Sequence, residues 1–173
     1  MSGKVLDVGC GDMPYKKLFP DCEWVGIDSR PVGDLVADPH QMGIVEDESF
    51  DTVLCLDVLH NCASPLMVMK ECARVLKTGG KLIVTVPNTY YEDGVSFWRI
   101  TKNGMQYLTH ATGNLRGLIL HVDGRAISHE WAEQFGSLHE DVKGWLSKID
   151  DKYPQVTFAV MEKVEPEEGV TDG

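Results

Sequence analysis

The sequence predicts an α/β domain: an open, three-layer arrangement with a mostly parallel sheet covered on both faces. Three observations carry that expectation. Apolar runs of strand length alternate with helix-period segments, a pattern that makes successive strands parallel. The first run, Val5 to Val8, leads straight into the turn Gly9-Cys10-Gly11. The second, about Glu23 to Ile27, closes on an acid, Asp28. In an open α/β sheet, ligands bind beyond the carboxyl ends of the strands, where the strand order reverses. A glycine turn after strand one and an acid ending strand two therefore mark a nucleoside site, with Asp28 on the ribose hydroxyls.

Taken in order, Pro14 to Phe19 allows only a short helix before Pro20. Strand three spans Asp34 to Asp38, and the loop Ser29-Arg30-Pro31-Val32-Gly33 before it is too short and broken for a full helix. A solvated loop from Gln41 carries Glu46, Asp47 and Glu48 into strand four, Asp51 to Leu56. Ser64 then offers an N-cap with Pro65 at the first helical position. Leu66, Met69, Cys72, Ala73 and Leu76 follow at helical spacing, and Gly79-Gly80 is expected to end that helix. Lys81 to Val86 is strand five, apolar on both faces as a central parallel strand should be. Pro87 to Gly113 forms an excursion rich in aromatics, with Thr101 capping a helix over Lys102 to Ala111. A sixth strand is expected over Gly117 to Val122, a long helix over Ser128 to Asp151, and a seventh strand over Gln155 to Val164. The pattern suits a single domain over residues 1–164 and an acidic, flexible tail over 165–173.

Composition narrows the function classes. The net charge is −11, from 27 acids against 16 bases, and such a surface repels a phosphate backbone. Nucleic acid is therefore not expected as a partner, because Lys16-Lys17 and Arg99 with Lys102 make only thin basic clusters. No apolar run approaches the roughly 20 residues that span a bilayer, so no membrane association is expected either. Cys10, Cys22, Cys55, Cys62 and Cys72 contain no C-x-x-C pair and mostly sit in apolar segments. They read as reduced, buried thiols of a cytoplasmic protein, with no metal centre.

The run Leu6-Asp7-Val8-Gly9-Cys10-Gly11 resembles the first motif of the class I S-adenosylmethionine-dependent methyltransferases (type 11-like). Four later segments fit the same family in order: Val25-Gly26-Ile27-Asp28, Ala37-Asp38-Pro39-His40, Ser49 through His60, and Arg74 to Gly80 leading into Leu82 to Pro87. The resemblance implies a Rossmann-like methyltransferase fold of seven strands, the last antiparallel, and S-adenosylmethionine as cofactor. It implies that Asp7, Gly9, Cys10 and Gly11 line the methionine half. Asp28, assisted by Ser29, takes the ribose, Asp38 and Pro39 meet the adenine, and Leu56 and Asp57 face the methyl centre. Asp38-Pro39 reads equally as a turn, and Asp57 as a cap after strand four. Many family members carry helices ahead of the first motif that close over the cofactor. With only Met1 to Gly3 before strand one, the expectation is a reduced N-terminal lid, replaced by the excursion, by a homo-oligomer or by a partner subunit.

The chemistry so implied is methyl transfer to an oxygen or nitrogen of a small-molecule or glycan-precursor acceptor. His60 is a candidate general base together with Asp57, or else a structural histidine beside Asn61. Tyr90, Tyr91, Trp98 and Arg99 are the candidate acceptor-binding residues, offering broad apolar faces and a guanidinium fork. Two other readings stay open: a non-catalytic binding or activator subunit of the same fold, and an enzyme using the cofactor for other chemistry. A base-modifying enzyme is disfavoured, because Leu56-Asp57-Val58-Leu59-His60 stands where an (Asp/Asn)-Pro-Pro-Tyr-like turn is expected.

Overall fold

A computed structural model describes residues 3–87, 96–123 and 155–166. Its strands are β1 (Gly3–Val8), β2 (Cys22–Asp28), β3 (Leu35–Val36), β4 (Phe50–Leu56), β5 (Leu76–Pro87), β6 (Leu115–Asp123) and β7 (Gln155–Lys163). They form one sheet in the order β3-β2-β1-β4-β5-β7-β6. The strands β1 to β5 pair in parallel, and β7 runs antiparallel between β5 and β6. The fold is the α/β, Rossmann-like one expected, with the last strand antiparallel. The strand order reverses at β1, so the carboxyl ends of β1, β2 and β4 flank the crevice where such sheets bind ligands.

Helices α1 (Pro65–Val75) and α2 (Lys102–Ala111) share one face of the sheet. There Val68, Met69, Cys72, Met105 and Leu108 pack with Leu6, Val53, Cys55, Leu82 and Val84 in the main core. The opposite face buries Val5, Leu54, Leu56, Ile83 and Phe158 beneath Phe19 and Trp24, with Met13, Tyr15 and Leu18 packed around them. The long helix expected over 128–151 lies outside the described residues, as do 167–173 of the expected tail. All five cysteines are free thiols. Among the described residues, no helix is long and apolar enough to cross a membrane.

Two elements differ from expectation. Helix α1 stops at Val75 rather than at the glycines, because Leu76 already takes extended angles and pairs with Phe50. The main-chain N–H groups of Glu48 and Ser49 donate to the carbonyls of Arg74 and Val75, satisfying two of the acceptors a helix end leaves open. Gly79 and Gly80 instead absorb a register slip inside β5, between the pairs Phe50↔Leu76 and Thr52↔Lys81. A Cβ on Gly80 would lie 2.9 Å from the Asp51 carbonyl, so the close approach there requires glycine. Strand β3 is two residues long, not five. Asp34 keeps its main-chain bond to the Gly26 carbonyl at 2.9 Å, but it accepts the Gly26 N–H at 2.8 Å through its side chain.

No helix separates β2 from β3, as the broken loop implies, and irregular chain leads from β3 to β4. Arg74 of α1 holds that stretch down, donating to the carbonyls of Met42 and Val45, both at 2.9 Å, and pairing with Asp47 and Glu71.

Candidate functional site

The turn after β1 is built on β2. The N–H groups of Gly9 and Cys10 both donate to the Ile27 carbonyl, at 2.8 and 3.1 Å. Gly9 and Gly11 have φ of +69° and +49°, in the left-handed region that favours glycine. A Cβ on Gly9 would stand 2.4 Å from Cγ2 of Val58, so the turn also presses against the loop after β4. The glycine turn, the end of β2 and the start of the β4 loop thus meet at one place.

Two buried carboxylates stand there in opposite electrostatic states. Asp7 is 2 % exposed, and its Oδ2 finds no hydrogen-bond partner among the described residues. Burial, with the nearby Asp28 charge adding to it, pushes its carboxyl up to about 7. Asp28 is also buried, which by itself raises a carboxyl. The bonds it accepts from Arg30 and Gly11 more than offset that, and it titrates below its ordinary value. Its Oδ1 accepts the main-chain N–H and the Nε–H of Arg30, at 2.9 and 3.1 Å. Its Oδ2 accepts the Gly11 N–H at 3.1 Å and Nη2 of Arg30 at 3.3 Å. Ser29 beside it is exposed.

Asp38 is exposed and engaged locally. It accepts the main-chain N–H of His40 at 2.8 Å and lies 2.6 Å from its Nδ1, bonds that lower its carboxyl. Nε2 of His40 in turn accepts the Ser64 N–H at 3.2 Å, so Nδ1 carries the ring proton and donates to Asp38. That chain ties the loop bearing Asp38 and Pro39 to the start of α1.

At the end of β4, Leu56 is buried and Asp57 holds φ of +56°, a strained value for a residue with a side chain. Thr85 of β5 stabilises it. The Asp57 N–H donates to the Thr85 carbonyl at 3.0 Å, and the Thr85 hydroxyl donates to Oδ1 of Asp57 at 2.8 Å. His60 follows in a 3-10 turn (Leu59–Asn61) with its ring buried. Its carbonyl accepts the N–H groups of Phe97 and Trp98, at 2.8 and 3.2 Å, and the Trp98 indole donates to the Cys62 carbonyl at 2.8 Å. The start of the described part of the excursion is therefore laid across the β4 loop. Trp98 stays 45 % exposed, and Arg99 is exposed with Nη1 donating to the Trp98 carbonyl and the Ser96 hydroxyl. Both residues line a cavity of about 350 Å³ whose other walls are the start of α1 and residues of α2, including Tyr107 and Leu108. Tyr90 and Tyr91 lie outside the described residues.

The structure thus brings Asp7, Gly9, Cys10, Gly11 and Asp28 together at one crevice, with Leu56 and Asp57 on the neighbouring strand end. Sequence reasoning missed Arg30, Thr85 and the His40–Ser64 link. An arginine two residues after Asp28 was a readable signal for the first. The other two depend on tertiary pairing.

Residues 6–84 match the family model described as methyltransferase domain. Among curated proteins, the chain is 30% identical over 121 residues to a tRNA (carboxymethyluridine(34)-5-O)-methyltransferase of Arabidopsis thaliana, covering 63% of this chain and 30% of that protein. It is 33% identical over 103 residues to a ubiquinone biosynthesis O-methyltransferase of Xanthomonas euvesicatoria, covering 49% of this chain and 43% of the relative. The chain therefore spans less than half the length of these curated relatives. Among solved structures, a phosphoethanolamine N-methyltransferase 2 of Haemonchus contortus, in complex with S-adenosylhomocysteine, shares the fold with a TM-score of 0.67 at 16% identity. That likeness covers 95% of this chain and 49% of that one.

One expectation is overturned. The exclusion of nucleic acid does not stand, because a relative matching most of this chain is named for its action on tRNA. Net charge is a property of the whole surface, and it does not decide what a crevice accepts at one edge of a sheet.

Proposed function

We propose that the chain, whose residues 6–84 match a methyltransferase domain, binds S-adenosylmethionine and transfers its methyl group to an oxygen acceptor. The observation that carries the reading is Asp7. A buried carboxylate with an orphaned oxygen, at the carboxyl end of β1, fits a ligand that brings a cation or a donor to it. The ammonium of a methionine moiety does so. Gly9, Cys10 and Gly11 would hold the rest of that half, and Asp28 the ribose. Asp38 and Pro39, held by His40, are available to the adenine. Bound there, S-adenosylmethionine supplies a methyl group already activated on its sulfonium.

The chain's own work is then to position and to exclude water. Leu56 and Asp57, fixed by Thr85, form the wall of the crevice at β4. Trp98 and Arg99 supply an apolar face and a guanidinium fork for the acceptor. His60 is the candidate base, reached through the 3-10 turn that Phe97 and Trp98 cover. Oxygen is favoured over nitrogen because both curated relatives reported above are named O-methyltransferases. A hydroxyl-bearing small molecule or sugar is the acceptor class we favour, and the plant relative supports a tRNA nucleoside as the second reading. The continuous sheet from Gly3 to Lys163 supports treating residues 1–164 as one ligand-binding domain. The free thiols are consistent with a reducing, cytoplasmic setting.

The test is calorimetric titration of the protein with S-adenosylmethionine and S-adenosylhomocysteine, followed by transfer of a labelled methyl group to pooled hydroxyl acceptors and to tRNA. Binding without transfer to any acceptor would turn the reading to a non-catalytic subunit, and no binding would remove it.

A further inference from the structure

Both oxygens of Asp28 are saturated. An ionised carboxylate offers about four lone-pair positions. Here they receive the Arg30 N–H and Nε on Oδ1, and the Gly11 N–H and Nη2 of Arg30 on Oδ2. Two of those four bonds come from main chain fixed by the turn, and they persist while the loop keeps its shape. The other two come from one side chain that is 67 % exposed, while the carboxylate beneath it is 6 % exposed. No ribose can reach Asp28 while that guanidinium is seated. A guanidinium edge and a vicinal diol are alike as donors, because each presents two hydrogens side by side to the two oxygens of one carboxylate.

The geometry points to Arg30 as a plug in the ribose subsite, seated on Asp28 until a nucleoside exchanges its vicinal diol for the guanidinium edge. This rests on the cofactor reading above. The exchange is one for one: two N–H donors leave and two O–H donors arrive, so Asp28 never loses its partners. The plug also keeps Asp28 compensated beside Asp7, whose own carboxyl the Asp28 charge pushes up. Its exposure makes release easy, since pairs that reach solvent hold each other weakly. Arg30 is a positioning and specificity residue here. A nucleoside lacking the diol cannot make the exchange and gains nothing when the plug is removed.

The experiment uses the full chain and a neutral nucleoside, 5′-methylthioadenosine, with S-adenosylhomocysteine and 2′,3′-dideoxyadenosine alongside. Affinities are read by calorimetry for the parent, Arg30→Ala and Arg30→Lys. Removing the plug should tighten 5′-methylthioadenosine by about fivefold, with Arg30→Lys in between, since a lysine cannot form the two-pronged contact. The parent's affinity should rise on going from roughly 50 to 500 mM salt, because salt screens the pair that must break, and the Arg30→Ala affinity should stay flat. The dideoxy compound should show neither effect. In the parent, the Arg30 Nε–H resonance should move toward a free guanidinium as 5′-methylthioadenosine is added. Equal or weaker binding by Arg30→Ala, or a flat salt response in the parent, overturns the plug and leaves the cofactor reading intact. Failure of parent and variants alike to bind any diol-bearing adenosine compound overturns both.

Discussion

The two halves of the crevice are made in different ways. The half at β1 and β2 is local: the Gly9 and Cys10 N–H groups reach Ile27, the Gly11 N–H reaches Asp28, and Arg30 folds back on it. All of its parts lie within about one β-loop-β unit. The half at β4 and β5 is assembled over distance. Thr85 holds Asp57 from 28 residues away, Trp98 reaches Cys62 across 36, and Thr157 donates to the Ile100 carbonyl across 57. The first half presents carboxylates, one with an oxygen that has no partner among the described residues, while the second presents a strained residue, a buried histidine and exposed aromatic surface. On the proposed reading, the cofactor would be met by a prefabricated turn, whereas the acceptor would be met by distant segments that can change without touching that turn.

The strongest way to break the local half is Gly9→Val. It adds branches where even a Cβ would stand 2.4 Å from Val58, at a φ of +69°. We expect about 3 kcal/mol or more of lost stability in chemical denaturation, together with loss of S-adenosylmethionine binding. Gly43→Ala, where a Cβ meets nothing within 4 Å, should be nearly neutral and serves as the control.

Asp7→Asn sharpens the contrast by separating stability from binding. The Asp7 carboxyl is raised to about 7 in the fold, so between about 4 and 7 the folded state holds a proton that the unfolded chain has released. Stability of the free protein should therefore fall as pH rises through that window, then level off. The total is on the order of 4 kcal/mol from this group. Asp28 acts in the opposite sense and only at lower pH, because its carboxyl is lowered and its contribution is lost on acidification. Thermal denaturation of Asp7→Asn across pH 4 to 8 should show that decline flattened, while its affinity for S-adenosylmethionine drops.

Asp28→Ala should weaken S-adenosylmethionine at least about tenfold by calorimetry, roughly 1.4 kcal/mol, with the fold intact. Unchanged affinity would sink the ribose assignment. The smallest effect on the cofactor belongs to the distant half. Arg99→Ala should leave cofactor affinity within about threefold while lowering kcat/KM for a true acceptor about tenfold, measured by steady-state kinetics. A matching loss in cofactor affinity would mean that the two halves are not separable.

The same division decides what the sequence could reveal. The Asp7-to-Gly11 turn and Asp28 were readable because each function needs a particular residue at a short, fixed spacing: glycine for left-handed angles, an acid at a strand end. That β1 to β5 run parallel followed from alternation, and the missing helix between β2 and β3 from the broken loop at Ser29 to Gly33, whereas the strand order itself came only from the structure. The end of α1 was misread because Gly79 and Gly80 are stop signals by themselves, and only the pairing of Leu76 with Phe50 turns them into a bulge. The left-handed Asp57 was invisible, since nothing local explains it without Thr85. A surface charge summed over 173 residues misled about nucleic acid, because it averages away the one edge where ligands meet the chain.

Strand β7 has a consequence for how the chain matures. It is the last of the described strands but interior in the sheet, pairing Lys81 with Glu162 on one side and Leu115 with Lys163 on the other. During synthesis β5 and β6 must wait, each with an open edge, until residues near 163 have left the ribosome. The parallel half of the sheet and the glycine turn are complete long before that. A nascent chain therefore carries a finished glycine-turn crevice on an unfinished scaffold, with β5 displaying a long apolar edge of the kind that chaperones shield. Stop codons anywhere ahead of Gln155 would freeze it in that state, giving truncated products prone to stick to one another rather than merely to lose activity.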